Sequence, residues 1–276
     1  MDHYQRVDMD FSHPIYANYH TPLFEEVIKS PPHWSSDKLS YWDDNKLFLA
    51  EKFKLAHYYT AQGSINVFRI IGTSHPDYAG YSWLELLTKK GKRMDINLPL
   101  QEKNPDYYLN TNIKQPTMYF NTFDGLHFYV GIDGNHRSCI ARFYLHQLGK
   151  TDLHGVTINH YQIDWDFYEL YQTLIALIAQ YQLPVQLTVI STHTSRQDSA
   201  GWKIDYYSPR LHWKQYQENG EVSEEDILDK SAAQNKLQQI VIEKQFQVDL
   251  KTSKANFSFK TTLKTFLQWF KGDVHG

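Results

Sequence analysis

The stretch Tyr129-Val130-Gly131-Ile132-Asp133-Gly134-Asn135-His136-Arg137-Ser138-Cys139-Ile140-Ala141-Arg142-Phe143 reads as a strand, a tight polar turn and the start of a helix. Phe128, Val130 and Ile132 alternate with Tyr129 and Gly131 as a half-buried strand does. Ile140, Phe143, Tyr144 and Leu148 then recur at helical spacing up to Gly149. The junction therefore lies at Asp133 to Ser138. The first N–H groups of a helix lack intrahelical acceptors and the macrodipole is positive there, so an anion is favoured before any side chain is counted. Gly134 permits close backbone approach, Arg137 offers a fork for phosphate oxygens, and His136 donates a hydrogen bond or moves a proton near neutral pH. Gly134, Asn135, His136, Arg137 and Ser138 are thus candidate phosphate-binding residues, and His136 and Asp133 candidate proton carriers. The plainer reading is a helix capped by Asp133 or Asn135, with His136 and Arg137 in solvent.

Outward from this junction, Leu23 to Lys29 predicts a short helix within a His-, Tyr- and Pro-rich arm, stopped by Pro31-Pro32. Asp43 to Tyr59 is amphipathic, Ile65 to Ile71 reads as a strand, and Ser82 to Lys89 as a short helix. Strands follow at Met94 to Leu98, Thr117 to Phe120 and His127 to Ile132, the last two joined by an Asp124-Gly125 turn. Val156 to Ile163 predicts a further strand and Trp165 to Tyr181 a helix stopped by Pro184. Beyond it, Val185 to Ile190 reads as a strand, Ser191 to Ser199 as a polar loop and Trp202 to Tyr207 as a strand. Ser223-Glu224-Glu225-Asp226 has the form of a capping box opening a helix. The expected organisation is an N-terminal arm and helix over 1–60, a core containing the junction over 61–184 and a C-terminal α/β extension with a basic aromatic tail over 185–276.

Ile132-Asp133-Gly134-Asn135-His136-Arg137, followed by a helix containing Ala141, resembles the Asp-Gly-x-His-Arg signature of the ParB/sulfiredoxin superfamily. Met94 to Leu100 followed by Asn104-Pro105 is similar to the early strand and Asn-Pro loop that precede that signature. The resemblance spans Arg93 to Gly149. It implies an α+β fold: a ParB/sulfiredoxin-like core, a small mixed sheet with helices, flanked by N- and C-terminal α/β extensions. It also implies that the signature turn binds nucleotide phosphates. Members of the superfamily act as nucleotide-gated DNA clamps, nucleases with ATPase activity, small-molecule kinases or sulfinic acid reductases, so the fold does not choose the function. Sulfiredoxin places its reactive cysteine directly before the His-Arg pair, where this chain has Asn135. The lone Cys139 reads as a small core residue. The clamp branch is disfavoured because no helix-turn-helix pattern follows Gly149.

Asp164, Asp166 and Glu169 can join Asp133 around a divalent cation such as Mg²⁺ if their helix starts near the turn, Asp133 and Asp164 being the candidate ligands. The alternative is that Asp164 caps the helix and the other two complement its dipole. His193, Arg196, Arg210 and His212 fall in loop-like sequence without zinc spacing, and His154 and His160 read as structural. The tail Lys251 to Lys271 interleaves lysines with Phe and Trp and contains no acid. Lys254, Lys260 and Lys264 are therefore candidate nucleic-acid contacts, against an amphipathic helix that docks through Phe259, Leu263, Phe266 and Phe270.

The chain has 276 residues, enough for one large domain or two modest ones, and its net charge of −3 does not announce a nucleic-acid binder. One cysteine excludes a disulfide framework and fits a reducing, cytoplasmic setting, and no apolar run is long enough to span a bilayer. The first-ranked expectation is a nucleotide-hydrolysing enzyme that uses ATP or another nucleotide, with Mg²⁺ as a further cofactor, and acts on DNA or another phosphate ester. A nucleotide-sensing regulatory or interaction protein of a plasmid or phage, and a small-molecule kinase, are the alternatives. The partners expected are a nucleotide, DNA and a second copy of the chain in a homodimer, with no membrane.

Overall fold

A computed structural model describes residues 21–252. In chain order the elements are α1 (Pro22–Lys29), β1 (Ser40–Tyr41), α2 (Asp44–Ala50), β2 (Lys54–Asn66), β3 (Ile70–Thr73), α3 (Trp83–Glu85, running on as a π turn over Leu86–Lys90) and α4 (Met94–Lys103). They continue with α5 (Asp106–Leu109), β4 (Tyr119–Thr122), β5 (Phe128–Val130), α6 (Asn135–Gln147) and β6 (Asp152–Ile163). The last are α7 (Trp165–Gln180), β7 (Val185–Ser199), β8 (Trp202–Tyr216), β9 (Val222–Leu228) and α8 (Lys230–Thr252). The class is α+β with a large mixed sheet. The chain divides into two compact units: the described residues through Tyr168 with Val189–Arg210, and Glu169–Thr188 with the described residues from Leu211.

In the first unit the strand order is β1-β3-β5-β4-β6-β2-β8-β7. β1, β3 and β5 run parallel, β4 is antiparallel to β5 and parallel to β6, and β2 is antiparallel to both β6 and β8. Register assigns the two faces, because side chains alternate along a strand. Phe120 opposite Val130 and Ile158 form one face, buried with Ile70 and Val156 against Ile140, Ala141, Phe143 and Leu145 of α6 and Met94 and Leu98 of α4. Each such side chain, removed from water, stabilises the fold by roughly 1.5–3 kcal/mol. The other face carries a half-buried polar row, Lys203, Tyr59, Asn159, Asn121 and Tyr129, across five strands.

Two local sequences cap their helices as their composition predicts. Thr21 Oγ1 accepts from the Phe24 N–H at 3.4 Å, and Ser82 and Glu85 form a reciprocal capping box. Met94–Leu98 is a helix, not the expected strand. Met94, Ile96 and Leu98 fit a period of two, but burial selects Met94 and Leu98 at i, i+4 for the core and leaves Ile96 55% exposed. The early strand that the superfamily resemblance implied is therefore absent from that position. Asp43–Tyr59 is helical only through α2, then extends as β2, whose Tyr58, Tyr59 and Thr60 pair with β6. Ser191–Ser199 is strand, not loop.

In the second unit, Ser223–Asp226 lies in β9, antiparallel to β8 over Leu211 to Tyr216. Cross-strand pairs hold it there: Glu225 accepts from Lys214 at 2.8 Å and from His212 at 2.7 Å. The following helix, α8, takes Asp229 as its cap, with Oδ1 accepting from the Ala232 N–H at 2.8 Å. No helix among the described residues is long and apolar enough to cross a membrane. The candidate nucleic-acid contacts Lys254, Lys260 and Lys264 lie outside the described residues, as does the first part of the N-terminal arm.

Candidate functional site

β5 ends at Val130 and the chain turns tightly into α6. The Gly131 N–H donates to Tyr119 O at 2.7 Å, and the Tyr119 N–H to Asp133 O at 3.2 Å, so the turn is pinned to β4. Gly134 precedes α6 with φ 116° and ψ 0°, a conformation that a side chain disfavours. No side chain caps the helix. Asp133 Oδ1 contacts the Gly134 N–H at 2.6 Å, and Asn135 Oδ1 accepts from the Thr73 hydroxyl at 2.7 Å, so neither of the two expected caps satisfies the helix. The first hydrogen bond into the helix is Ser138 N–H to Gly134 O at 2.7 Å, and the amides of Asn135, His136 and Arg137 donate to no protein group among the described residues. These three amides lie at the positive end of a 13-residue helix, where the macrodipole favours an anion.

Arg137 is 9% exposed and its fork is already occupied. Nη1 donates to the Tyr107 hydroxyl at 2.8 Å and to Pro116 O, and Nη2 donates to Thr117 O at 3.1 Å and pairs with Asp133 at 2.8 Å. Arg137 therefore tethers the loop before β4 to the helix start, and Asp133 supports it from the solvent side. Ser138 is fully buried with its Oγ unbonded among the described residues, and Asn135 is tied to β3; neither lines an open surface.

His136 is half-buried. Its Nε2 lies 3.4 Å from the Arg93 N–H and 3.3 Å from the Tyr78 hydroxyl. A backbone N–H only donates, so Nε2 carries the lone pair and Nδ1 carries the proton. Burial, reinforced by the Arg93 charge and opposed by Asp133, holds its pKa down at about 4, so the imidazole is neutral at pH 7.

A cleft of about 550 Å³ opens beside the helix start. One wall is a face of α4: Arg93, Ile96, Asn97, Leu100, Gln101 and, just past its end, Asn104, at spacings of three and four residues. Opposite stand Tyr107, Tyr108 and the Gln115–Pro116 pair, whose peptide bond is cis; Asp133, Gly134, His136 and Arg137 complete the lining. The loop carrying Gln115 reaches this position because the Lys114 N–H donates to Gly155 O at 2.7 Å and a Cβ on Gly155 would stand 1.8 Å from Asn112 O.

Two residues of this cleft were not singled out by the sequence reading. Arg93 is exposed and its guanidinium makes no ion pair or hydrogen bond among the described residues, whereas its neighbour Lys92 is paired with Asp77 at 2.9 Å. Gln101 is 6% exposed, and its carboxamide has no hydrogen-bond partner among the described residues.

No protein-family model, curated protein or solved structure matches this chain. The reading of the site rests on its own geometry. That geometry brings Asp133, Gly134, His136 and Arg137 to one cleft and leaves Asn135 and Ser138 beneath it. Asp164 serves α7, its Oδ1 accepting from the Phe167 N–H at 3.0 Å, while Asp133 is engaged by Arg137. Among the described residues no three His, Cys, Asp or Glu side chains are grouped to hold a metal ion. Cys139 is fully buried, and burial pushes its thiol pKa up, away from the reactive thiolate. His193 and Arg196 both engage the buried Asp205 carboxylate, at 3.1 and 2.5 Å, within the sheet of the first unit.

Proposed function

We propose that this chain binds a nucleotide, with the phosphates seated at the start of α6 and the remainder of the ligand along the cleft under α4. The observation that carries the reading is the pair of uncapped amides at His136 and Arg137 in a cleft that the unpaired Arg93 also lines. Backbone donors fixed by a glycine turn, with one unpaired arginine, are a phosphate-binding combination. In this reading Arg93 is the cationic contact, and Arg137 holds the seat in shape.

A second reading, hydrolysis of the nucleotide with DNA or another phosphate ester as second substrate, is favoured by one observation: Asp133 and His136 line the same cleft as the anion donors. A neutral imidazole whose Nδ1 bears the proton donates a hydrogen bond, so in that reading His136 orients a phosphoryl oxygen and Asp133 is the candidate base.

Calorimetric titration of ATP, ADP, CTP and GTP, with and without Mg²⁺, tests binding in the wild type and in Arg93→Ala. The expected result is saturable binding of at least one nucleotide, weakened about tenfold or more in Arg93→Ala. Failure of all four to bind overturns the reading. Phosphate release by the wild type, lost in His136→Ala with binding retained, supports the hydrolase over a sensor.

A further inference from the structure

We propose that Gln101 reads the base of the bound nucleotide and that the base is adenine. The inference rests on the nucleotide reading of the cleft and adds the identity of the ligand's other end.

Gln101 is more than nine-tenths buried, lines the cleft and has no hydrogen-bond partner among the described residues. Most of the side chain is packed away and the carboxamide reaches water only through the cleft, so its donor and acceptor are held facing a ligand that enters there. Its distance from the phosphate seat fits a nucleotide. Arg93 marks the seat, because its own amide touches His136 in the first turn of α6. Gln101 lies eight residues further along the same face of α4, about 12 Å at 1.5 Å per residue. That span suits a base, a sugar and two phosphates in extended form.

The surface between the two ends is apolar. Ile96 and Leu100 project from the same face of α4, 55% and 54% exposed, and such residues seat a planar ring better than water. The cleft is thus polarised, with cation and amides at one end, hydrocarbon in the middle and a carboxamide at the other. A carboxamide presents one acceptor beside a two-proton donor, and adenine presents the complement, N6–H₂ beside N7. Adenine meets it on either edge, through N6–H₂ beside N7 or beside N1, whereas guanine has two acceptors at O6 and N7 and meets it only through N1–H beside O6. The larger purine also covers more of Ile96 and Leu100 than a pyrimidine does.

The test is titration of ATP, GTP, CTP, UTP and inorganic triphosphate into the wild type, Gln101→Ala, the near-isosteric Gln101→Glu and Arg93→Ala, with melting curves confirming that each variant is folded. ATP is expected to bind at least tenfold more tightly than the other nucleotides. In both Gln101 variants that preference collapses while triphosphate binding is unchanged, and Arg93→Ala weakens triphosphate and every nucleotide alike. Equal binding of the four nucleotides, with the Gln101 variants matching the wild type and triphosphate still bound, overturns the role of Gln101 and leaves the phosphate seat standing. A preference for GTP, CTP or UTP overturns the choice of adenine. Absence of both nucleotide and triphosphate binding overturns the seat itself and this inference with it.

Discussion

The Arg137 guanidinium donates to the Tyr107 hydroxyl at 2.8 Å, and this one contact changes what the His-Arg pair does. An arginine at the head of a helix beside a glycine turn is expected to hold phosphate. Here its remaining donors go to Pro116 O, Thr117 O and Asp133, so the side chain closes the back of the cleft instead of reaching into it. The amides of His136 and Arg137 donate to no group among the described residues, and the unpaired cation of the cleft is Arg93, just before α4.

Arg137→Ala and Arg93→Ala therefore separate two functions. Removing Arg137 leaves two carbonyls and a tyrosine hydroxyl without their donor in a buried setting, and is expected to lower stability by about 2–4 kcal/mol. The Arg93 side chain makes no ion pair or hydrogen bond among the described residues, so its truncation is expected to leave the melting temperature unchanged and to weaken anion binding. Thermal denaturation beside calorimetry checks both. Equal melting temperatures with loss of binding only in Arg137→Ala would return Arg137 to the phosphate.

Gly134→Ala is expected to cost about 1–2 kcal/mol from the backbone alone. Its φ of 116° lies where L side chains rarely go, while the added Cβ meets Met118 at an ordinary 3.4 Å. Strain, not collision, is thus the cause, and relief of it would rotate the first amides of α6. The variant should lose triphosphate affinity as well as stability, whereas a change confined to stability would mean that the amides are not the seat.

The strand, turn and helix from Phe128 to Gln147 were legible because Phe128 and Val130 alternate and Ile140 and Phe143 recur at helical spacing, although Ile132 and Leu148, read into the same pattern, are 85% and 44% exposed and α6 is buried on more than one face. α4 was not, because Met94, Ile96 and Leu98 satisfy two periods at once and only the partner that buries Met94 and Leu98 decides between them. That ambiguity also hid the cleft. Arg93 and Gln101 share a wall only on a helix, and a strand reading separates them. In β9 the acidic run imitates a helix start until Lys214 and His212 arrive from the neighbouring strand. The role of Arg137 was hidden for the same kind of reason: its acceptors are carbonyls, which sequence does not distinguish.

His136 makes the first unit acid-sensitive. The unfolded chain takes up this proton near pH 6.5, but the folded site resists it until about pH 4. Between those values the unfolded state binds more protons, so the stability is fully present above pH 6.5 and is lost as pH falls toward 4. With solvent screening of a half-buried ring, the loss is on the order of 1–2 kcal/mol. Burial lowers the pKa of His57 in the same direction, so His136→Gln should flatten the pH dependence of melting in that window without abolishing it. An NMR titration placing the His136 midpoint near 6.5 would contradict this.

The second buried arginine of α6 ties the chain before β1 to the core. Arg142 is 4% exposed and lies 4.7 Å from the Trp34 ring, 4.6 Å from Trp83 and 5.4 Å from Phe68. Its Nη1 donates to Ile70 O at 2.8 Å, and Asp37, on the surface, is 4.0 Å away. Burial lowers its pKa to about 10, which still leaves it charged at pH 7, so the aromatic faces and the carbonyl stabilise a cation that its one distant carboxylate balances poorly. Arg142→Ala empties this cage and is expected to cost about 3–5 kcal/mol, with loss of the near-ultraviolet dichroism of Trp34 and Trp83. Arg142→Lys keeps the charge but presents a compact ammonium where a planar group was stacked on rings, so it should recover only part of the stability. Full recovery by lysine would show that charge alone, and not the stacked guanidinium, holds the N-terminal elements against α6.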